Sequence, residues 1–272
     1  MSKIAYVNGK YLTTKNASLS INDRSIHFSD AIYEVVAVYE GKLVFWKEHI
    51  ARLKKSLSML DINNFHNTRN LIFKCEEIIE LNNLKFGLIY IQISRGIASR
   101  NHNWQKDIKP SLIISALHKD VFKVKKSISL ISNKDIRWKL SNIKTTSLLG
   151  NVLLKQKALK SNSFECVMYD EKKMITEATT SNIWIIKNKN LFTPPLTKNI
   201  LPGVTRKIVF QIASDLNIKA TEKNISMYTL INSDGVFLTN SSSLLLLANK
   251  IDNLKLNNDK DNISKLIYNK LI

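Results

Sequence analysis

Residues 134–184 read KDIRWKLSNIKTTSLLGNVLLKQKALKSNSFECVMYDEKKMITEATTSNIW. A strand pattern, Asp135-Ile136-Arg137-Trp138 and then Ile143, runs into Lys144-Thr145-Thr146. From about Thr146 to Leu159, Leu148, Leu149, Val152, Leu153 and Gln156 fall on related faces at helical spacing. FECVMYD and the run from Met174 return as strands around a turn at Asp170-Glu171. The stretch therefore predicts strand, helix, strand, with a lysine where the first strand ends and an acid, Glu177, in the returning one. A lysine at a strand end can be partly desolvated. That lowers its pKa and makes the amine a nucleophile toward a carbonyl. Most lysines are solvated surface charges, and on residue type alone Lys144 is no exception. Glu177 has apolar or small hydroxylic neighbours. It reads either as an edge carboxylate facing water or as a half-buried acid paired with a cation.

On the N-terminal side, IAYVNGKYL at 4–12 predicts a hairpin, since Asn8-Gly9 supplies the positive φ of a tight turn. A second hairpin runs through Val36, Val38 and Tyr39 and turns at Glu40-Gly41. It is entered through Asp30-Ala31-Ile32-Tyr33-Glu34. Ile50, Leu53, Leu57 and Leu60 mark a helix over 47–60 with Arg52 beside its apolar stripe. A second helix is expected over 68–82. Strands follow at 86–96 and 111–117, separated by a polar loop, IASRNHNWQKDIKP. This mixture predicts an α+β first domain over 1–120. The charged run 118–125 is the expected linker, and a second domain covers 121–272. In that domain Pro202-Gly203 precedes a helix, and further strands and a short C-terminal helix complete the chain.

Among 272 residues, 44% are hydrophobic and 23% charged, ordinary for a globular protein with a proper core. A net charge of +19 raises the prospect of a nucleic-acid binder. The lysines, however, are spread along the whole chain, and no aromatic platform or basic stripe accompanies them. Cys75 and Cys166 sit alone in apolar contexts and read as buried thiols of a reducing compartment. No cysteine or histidine spacing suggests a metal. The apolar runs are too short for a signal peptide or a membrane span, so a cytoplasmic protein without membrane partners is expected.

Four further groups of residues can hold anions. Pro202-Gly203-Val204-Thr205 opens a helix, whose first N–H groups are free to bind a phosphate. Asn240-Ser241-Ser242-Ser243 offers hydroxyl and amide donors after a strand, and Arg52 adds a forked cation. Arg100-Asn101-His102, in the polar loop, reads as a solvated turn or as a clamp for a carboxylate.

These pieces, in this order, resemble the class IV pyridoxal-phosphate aminotransferases, which share the branched-chain aminotransferase fold. The D-amino-acid branch is the most similar. The resemblance spans nearly the whole chain. It rests on Asp30 to Val36, Glu48 to Leu53, Arg95-Gly96 with Ser99 to His102, Asp135 to Trp138, Asn142-Ile143-Lys144 with Leu148-Leu149-Gly150, Thr176-Glu177 with Ser181-Asn182, and Leu201 to Arg206. It implies a two-domain fold-type IV enzyme, with a small N-terminal domain and a larger C-terminal domain around a barrel-like sheet. It implies that Lys144 is the Schiff-base lysine and proton shuttle for pyridoxal 5′-phosphate, and that Glu177 pairs with the pyridine nitrogen. Arg52, the amides of Val204 and Thr205, and a hydroxyl of Ser241 or Ser242 would bind the phosphate. Tyr33, Arg100 and His102 would form the substrate-carboxylate trap, the loop arriving from a neighbouring subunit of a homodimer with shared active sites. The implied reaction is ping-pong transamination between a D-amino acid, D-alanine above all, and a 2-oxo acid such as 2-oxoglutarate. A branched-chain L-amino-acid aminotransferase and an aminodeoxychorismate lyase are the alternatives within the family. The chain departs from the pattern at Ser29 and Ala31, where the family often has glycine, and at Ile26-His27.

Overall fold

Asn8 (φ 46°) and Gly9 (φ 97°) close the first hairpin as expected, with β1 (Ile4–Val7) antiparallel to β2 (Lys10–Thr13). The computed structural model describes residues 3–63, 65, 68–122 and 127–272. Residues 123–125 of the expected linker lie outside the described residues. The chain divides into two units, Met1–Val121 with Ile143–Ser147, and Phe122–Asn142 with Leu148–Ile272. Lys144 therefore belongs to the first unit, whereas the sequence reading put it in the C-terminal domain.

In the first unit, α1 (Arg24–Phe28), β3 (Ala31–Tyr39), β4 (Lys42–Leu43), α2 (Trp46–Met59), α3 (Leu71–Leu81), β5 (Gly87–Ser94) and β6 (Ser111–His118) follow the hairpin. The six strands form one antiparallel sheet in the order β2-β1-β6-β5-β3-β4. From Ile32 to Val36, β3 alternates buried and half-buried side chains, as a sheet with one helix-covered face requires. Ile32, Val36 and Val38 join Leu53 and Leu57 of α2 and Leu71, Cys75 and Ile78 of α3 in one core. The short helix α1 was not expected. Asp23 caps it by accepting the Ser25 N–H at 2.9 Å, and Ser29 ends it in the left-handed region at φ 53°. Glycine is the usual residue at such a helix end.

The second unit contains β7 (Ile128–Lys134), α4 (Leu149–Lys160), β8 (Glu165–Tyr169), β9 (Ile175–Ala178), β10 (Asn182–Lys187), β11 (Asn190–Thr193), α5 (Val204–Asp215), β12 (Ala220–Glu222), α6 (Met227–Ile231), β13 (Gly235–Asn240), β14 (Leu244–Ile251), β15 (Leu254–Lys255) and α7 (Ile263–Leu271). Its mixed sheet runs β12-β11-β10-β13-β14-β7-β8-β9, with β15 beside β14, and curls as a half barrel. β7 and β8 are parallel, so a crossover must join them, and α4 lies in that connection. Trp184 and Phe237 stack at 5.8 Å inside the unit, and the indole N–H donates to Thr239 at 3.1 Å.

Two local expectations fail for physical reasons. Residues 135–138 form no strand. The Asp135 carboxylate accepts the Arg137 N–H at 3.1 Å, a side-chain-to-backbone bond that turns the chain away from a ladder. The second failure concerns α4, which starts at Leu149 because Thr146 is engaged elsewhere. Its N–H donates to Ala31 O at 3.0 Å and its hydroxyl to Ser29 O at 3.1 Å. The face that α4 buries is also different. Leu154 and Ala158 pack on Ile131, Cys166 and Met168, while Leu149, Val152 and Leu153 are 71, 52 and 54% exposed.

Candidate active site

Lys144 is fixed by its backbone to β3 and α2. Its carbonyl accepts the Tyr33 N–H at 2.9 Å, and its own N–H reaches Ser56 Oγ at 3.4 Å. Thr145 bridges Ile32. Half-buried, the Lys144 ammonium lies 4.2 Å from the centroid of the Tyr33 ring, and among the described residues it has no ion pair. Tyr33 in turn stacks on Tyr90 at 5.7 Å. The structure thus brings the predicted lysine and tyrosine together.

Arg52 stands on α2 one turn before Ser56, and its guanidinium is oriented by a buried acid. Its Nε and Nη2 donate to the two oxygens of Glu34, each at 2.7 Å. His49, one turn earlier, lies 2.7 Å from Glu34 through Nδ1. Burial alone would raise the Glu34 carboxyl, but Arg52 and His49 bring it down to about 2. Burial lowers His49, and this outweighs the pull of Glu34. An ionised Glu34 only accepts, so Nδ1–H of a neutral His49 is the donor. Sequence reasoning missed Glu34, which pairs with Arg52, and His49, which shares that carboxylate. A charged residue at the inward phase of β3 was the available signal.

In the second unit, Glu177 is buried on β9. One oxygen takes a hydrogen bond from Arg137, and the other accepts Asn182 Nδ2 at 3.1 Å and the Leu201 N–H at 3.2 Å. Burial pushes this carboxyl up to about 7, against the pull of Arg137. Arg137 is itself shared with Asp135, Nη2 to Oδ2 at 2.6 Å, and Asp135 also accepts the Thr176 hydroxyl at 2.8 Å. Glu177 therefore sits on a strand at the sheet edge but is buried and paired with a cation, Arg137, rather than facing water.

Asn182 links Glu177 to the helix start. Its amide also donates to Leu201 O at 2.9 Å, just before Pro202-Gly203. Gly203 is required here, since a Cβ would sit 2.0 Å from Asn182 Oδ1. Gly203 is also the N-cap of α5 and brings no capping oxygen, so the N–H groups of the first turn, at Val204 and Thr205, are left for an anion. Farther along the chain, Asn240 Oδ1 holds both the N–H (2.9 Å) and the hydroxyl (3.1 Å) of Ser242. Among the described residues, the Ser241 hydroxyl has no hydrogen bond.

Arg100 and His102 meet at Phe28. The guanidinium lies 5.5 Å from the ring centroid, and the imidazole 5.4 Å. Among the described residues, no hydrogen bond or ring contact joins either of them to Tyr33. Arg24, Asp30 and Arg95 adjoin this loop, which also carries Trp104, and none of the four had an assigned role in the sequence reading.

The family model for amino-transferase class IV matches residues 31–251. The chain belongs to the class IV aminotransferases. It is 32% identical to the D-alanine aminotransferase of Staphylococcus aureus over 263 residues, covering 96% of this chain and 93% of that one. It is 34% identical to the Staphylococcus haemolyticus D-alanine aminotransferase, covering 93 and 90%. Among solved structures, the Escherichia coli branched-chain amino acid aminotransferase superposes with a TM-score of 0.91 at 21% identity, covering 98 and 92%. A 4-amino-4-deoxychorismate lyase assigned in Legionella pneumophila superposes with a TM-score of 0.87 at 26% identity, covering 95 and 97%.

Class IV aminotransferases depend on pyridoxal 5′-phosphate, and the donor set of this aminotransferase fits that group. Lys144, whose amine has no ion pair among the described residues, suits an aldehyde. A buried carboxyl near neutrality, Glu177, suits a basic ring nitrogen. The uncapped start of α5 suits a phosphate.

Proposed function

We propose that this aminotransferase moves the amino group of a D-amino acid, D-alanine above all, to a 2-oxo acid such as 2-oxoglutarate. The observation that carries this reading is the likeness to D-alanine aminotransferases at 32–34% identity over nine-tenths or more of the chain. The solved branched-chain enzymes, at or below 22% identity, speak only for the fold.

When bound, pyridoxal phosphate supplies an electron sink that acidifies the substrate Cα–H. The residues do the rest. Lys144 would hold the cofactor through Nζ, and its amine would serve as the general base that takes up and returns the substrate Cα proton. Glu177, held by Arg137, Asn182 and Leu201, pairs with the ring nitrogen and keeps it protonated. Arg52, oriented by Glu34, binds the phosphate together with the Val204 and Thr205 amides and a hydroxyl of Ser241 or Ser242. The geometry favours Ser241 as that donor, because the Ser242 hydroxyl is already given to Asn240. Arg100 and His102, with Tyr33, hold the substrate carboxylate. As the family resemblance implies, the loop would serve a second copy in a homodimer with shared active sites. The exposed apolar face of α4, Leu149, Val152 and Leu153, supports self-association.

The test is the visible absorption of the purified protein. D-Alanine bleaches the band of the Lys144-bound cofactor with release of pyruvate, L-alanine leaves it, and 2-oxoglutarate restores it with release of D-glutamate. Turnover of L-leucine in place of D-alanine would overturn the D-specific reading.

A further inference from the structure

The loop that carries Arg100 and His102 is exposed, yet a buried side chain from α1 grips its backbone. Arg24 is 3% exposed. Its Nη1 donates to the Asn101 carbonyl at 2.6 Å and reaches the Asn103 carbonyl at 3.5 Å, while Nη2 reaches the His102 carbonyl at 3.5 Å. One guanidinium thus spans three consecutive carbonyls around His102. The forked, planar donor set of arginine allows this, and the point charge of a lysine does not.

Arg24 is itself held on both sides. Its Nε donates to Asp30 Oδ2 at 2.8 Å, an oxygen shared with Arg95 Nε at 2.7 Å, and Arg95 Nη2 takes the other oxygen at 3.0 Å. Arg95 is anchored by the Leu60 and Asp61 carbonyls at 2.6 and 3.0 Å. The Trp104 ring lies 4.0 Å from the Arg95 guanidinium and 5.9 Å from that of Arg24. Phe28 lies between Arg24 (4.6 Å) and Arg100 (5.5 Å). The backbone repeats the connection, because the Arg24 N–H donates to Gly96 O at 2.9 Å and the Arg95 N–H to Asp30 O at 3.0 Å.

We propose that Arg24, locked by Asp30, is the positioning residue of the carboxylate clamp: it fixes residues 101–103 before any substrate arrives. It touches neither substrate nor cofactor. Its effect is to preset the backbone from which Arg100 and His102 project, so that binding a carboxylate does not have to order the loop. This inference rests on the proposed clamp role of Arg100 and His102.

The test compares Arg24→Lys, Arg24→Gln and Arg100→Ala in the holoenzyme. Lysine keeps the charge beside Asp30 and preserves the fold, but it cannot span three carbonyls. Arg24→Lys should raise the KM for D-alanine about tenfold at nearly unchanged kcat, with Arg24→Gln at least as severe. The half-reaction with ethylamine, which is D-alanine without its carboxylate, should keep its rate. Amide hydrogen exchange at 101–104 should quicken while exchange in β5 does not. A D-alanine KM within twofold of the parent, unchanged exchange at 101–104, or an equal loss with ethylamine would overturn the role of Arg24. Arg100→Ala separates the two readings. If it leaves the D-alanine KM unchanged, the clamp itself is wrong and the positioning role falls with it. If it raises KM while Arg24→Lys does not, only the positioning role fails.

Discussion

Replacing Gly203 by alanine puts a methyl group 2.0 Å from Asn182 Oδ1, closer than any real contact. The glycine φ is −63°, so the backbone itself accepts alanine and the whole cost falls on the asparagine. Asn182 must swing away. It then loses a bond to the Glu177 carboxylate at 3.1 Å and one to Leu201 O at 2.9 Å. A charged hydrogen bond contributes about 1.5–3 kcal/mol and a neutral one about 1 kcal/mol, so Gly203→Ala should cost about 3 kcal/mol. Urea denaturation of the apoprotein measures this directly. Asn182→Ala removes the same two bonds and should cost a similar amount. The decisive measurement is the double variant. With no side chain left to strike, Gly203→Ala in the Asn182→Ala background should cost almost nothing, a coupling of about 3 kcal/mol. Additive losses would show that Gly203 serves some purpose other than making room for Asn182, and the link from Glu177 to the start of α5 would be lost.

Other outcomes follow from the same contacts. Glu34→Gln should destabilise the protein by about 3–5 kcal/mol, since it breaks a buried pair and leaves Arg52 without its carboxylate. Because the folded carboxyl lies near 2 and its ordinary value is 4.5, the ionised Glu34 stabilises above about pH 4.5 and loses that contribution as pH falls toward 2. The variant should therefore show a shallower acid limb in stability measured against pH. Ser29→Gly should raise the melting temperature by the equivalent of about 0.5 kcal/mol, left-handed strain relieved at φ 53° less the added chain entropy; a lowered melting temperature would contradict the strain. Leu149→Lys with Leu153→Lys should yield monomers in sedimentation, and an unchanged dimer would dissociate the α4 face from self-association. Glu177→Gln should keep the visible band of the Lys144-bound cofactor while slowing the D-alanine half-reaction by about 100-fold or more; equal rates would remove Glu177 from the chemistry.

Much of the scaffold could be read from local pattern. Asn8-Gly9, the hairpin through Val36, Val38 and Tyr39, and the stripe of α2 are short-range signals, and each is found where sequence placed it. Periodicity reports that a face is apolar and leaves open what covers it. Hence Leu149, Val152 and Leu153 fall on related faces at helical spacing, whereas the buried side of α4 is carried by Leu154 and Ala158. The strand expected at 135–138 failed because an Asp two residues before an Arg offers the backbone a competing bond. Lys144 and Glu177 stood out only through the order of motifs across the whole chain. Their supporting contacts depend on pairing between distant segments. Glu34 finds His49 and Arg52 through the packing of α2 on β3, and Arg24 finds residues 101–103 through a long loop, so neither arrangement has a short-range signature.

The two buried glutamates show why composition could not separate scaffold from chemistry. Glu34 faces Arg52 with both oxygens and His49 with one of them, and it ends near 2. Glu177 has a guanidinium on one oxygen only, and that guanidinium is divided with Asp135, whose own charge opposes ionisation of Glu177. Burial then dominates, and the carboxyl ends near 7. Glu34 is thus fully answered by the protein and can act as an anchor that aims Arg52. Glu177 is under-compensated by its own unit, and a further positive partner would lower its free energy. A protonated pyridine nitrogen is such a partner, and the demand is mutual, since the carboxylate that gains a cation also holds the proton on the ring. Burial that the positive charge of its own unit does not offset is what fits Glu177 to the role proposed for it.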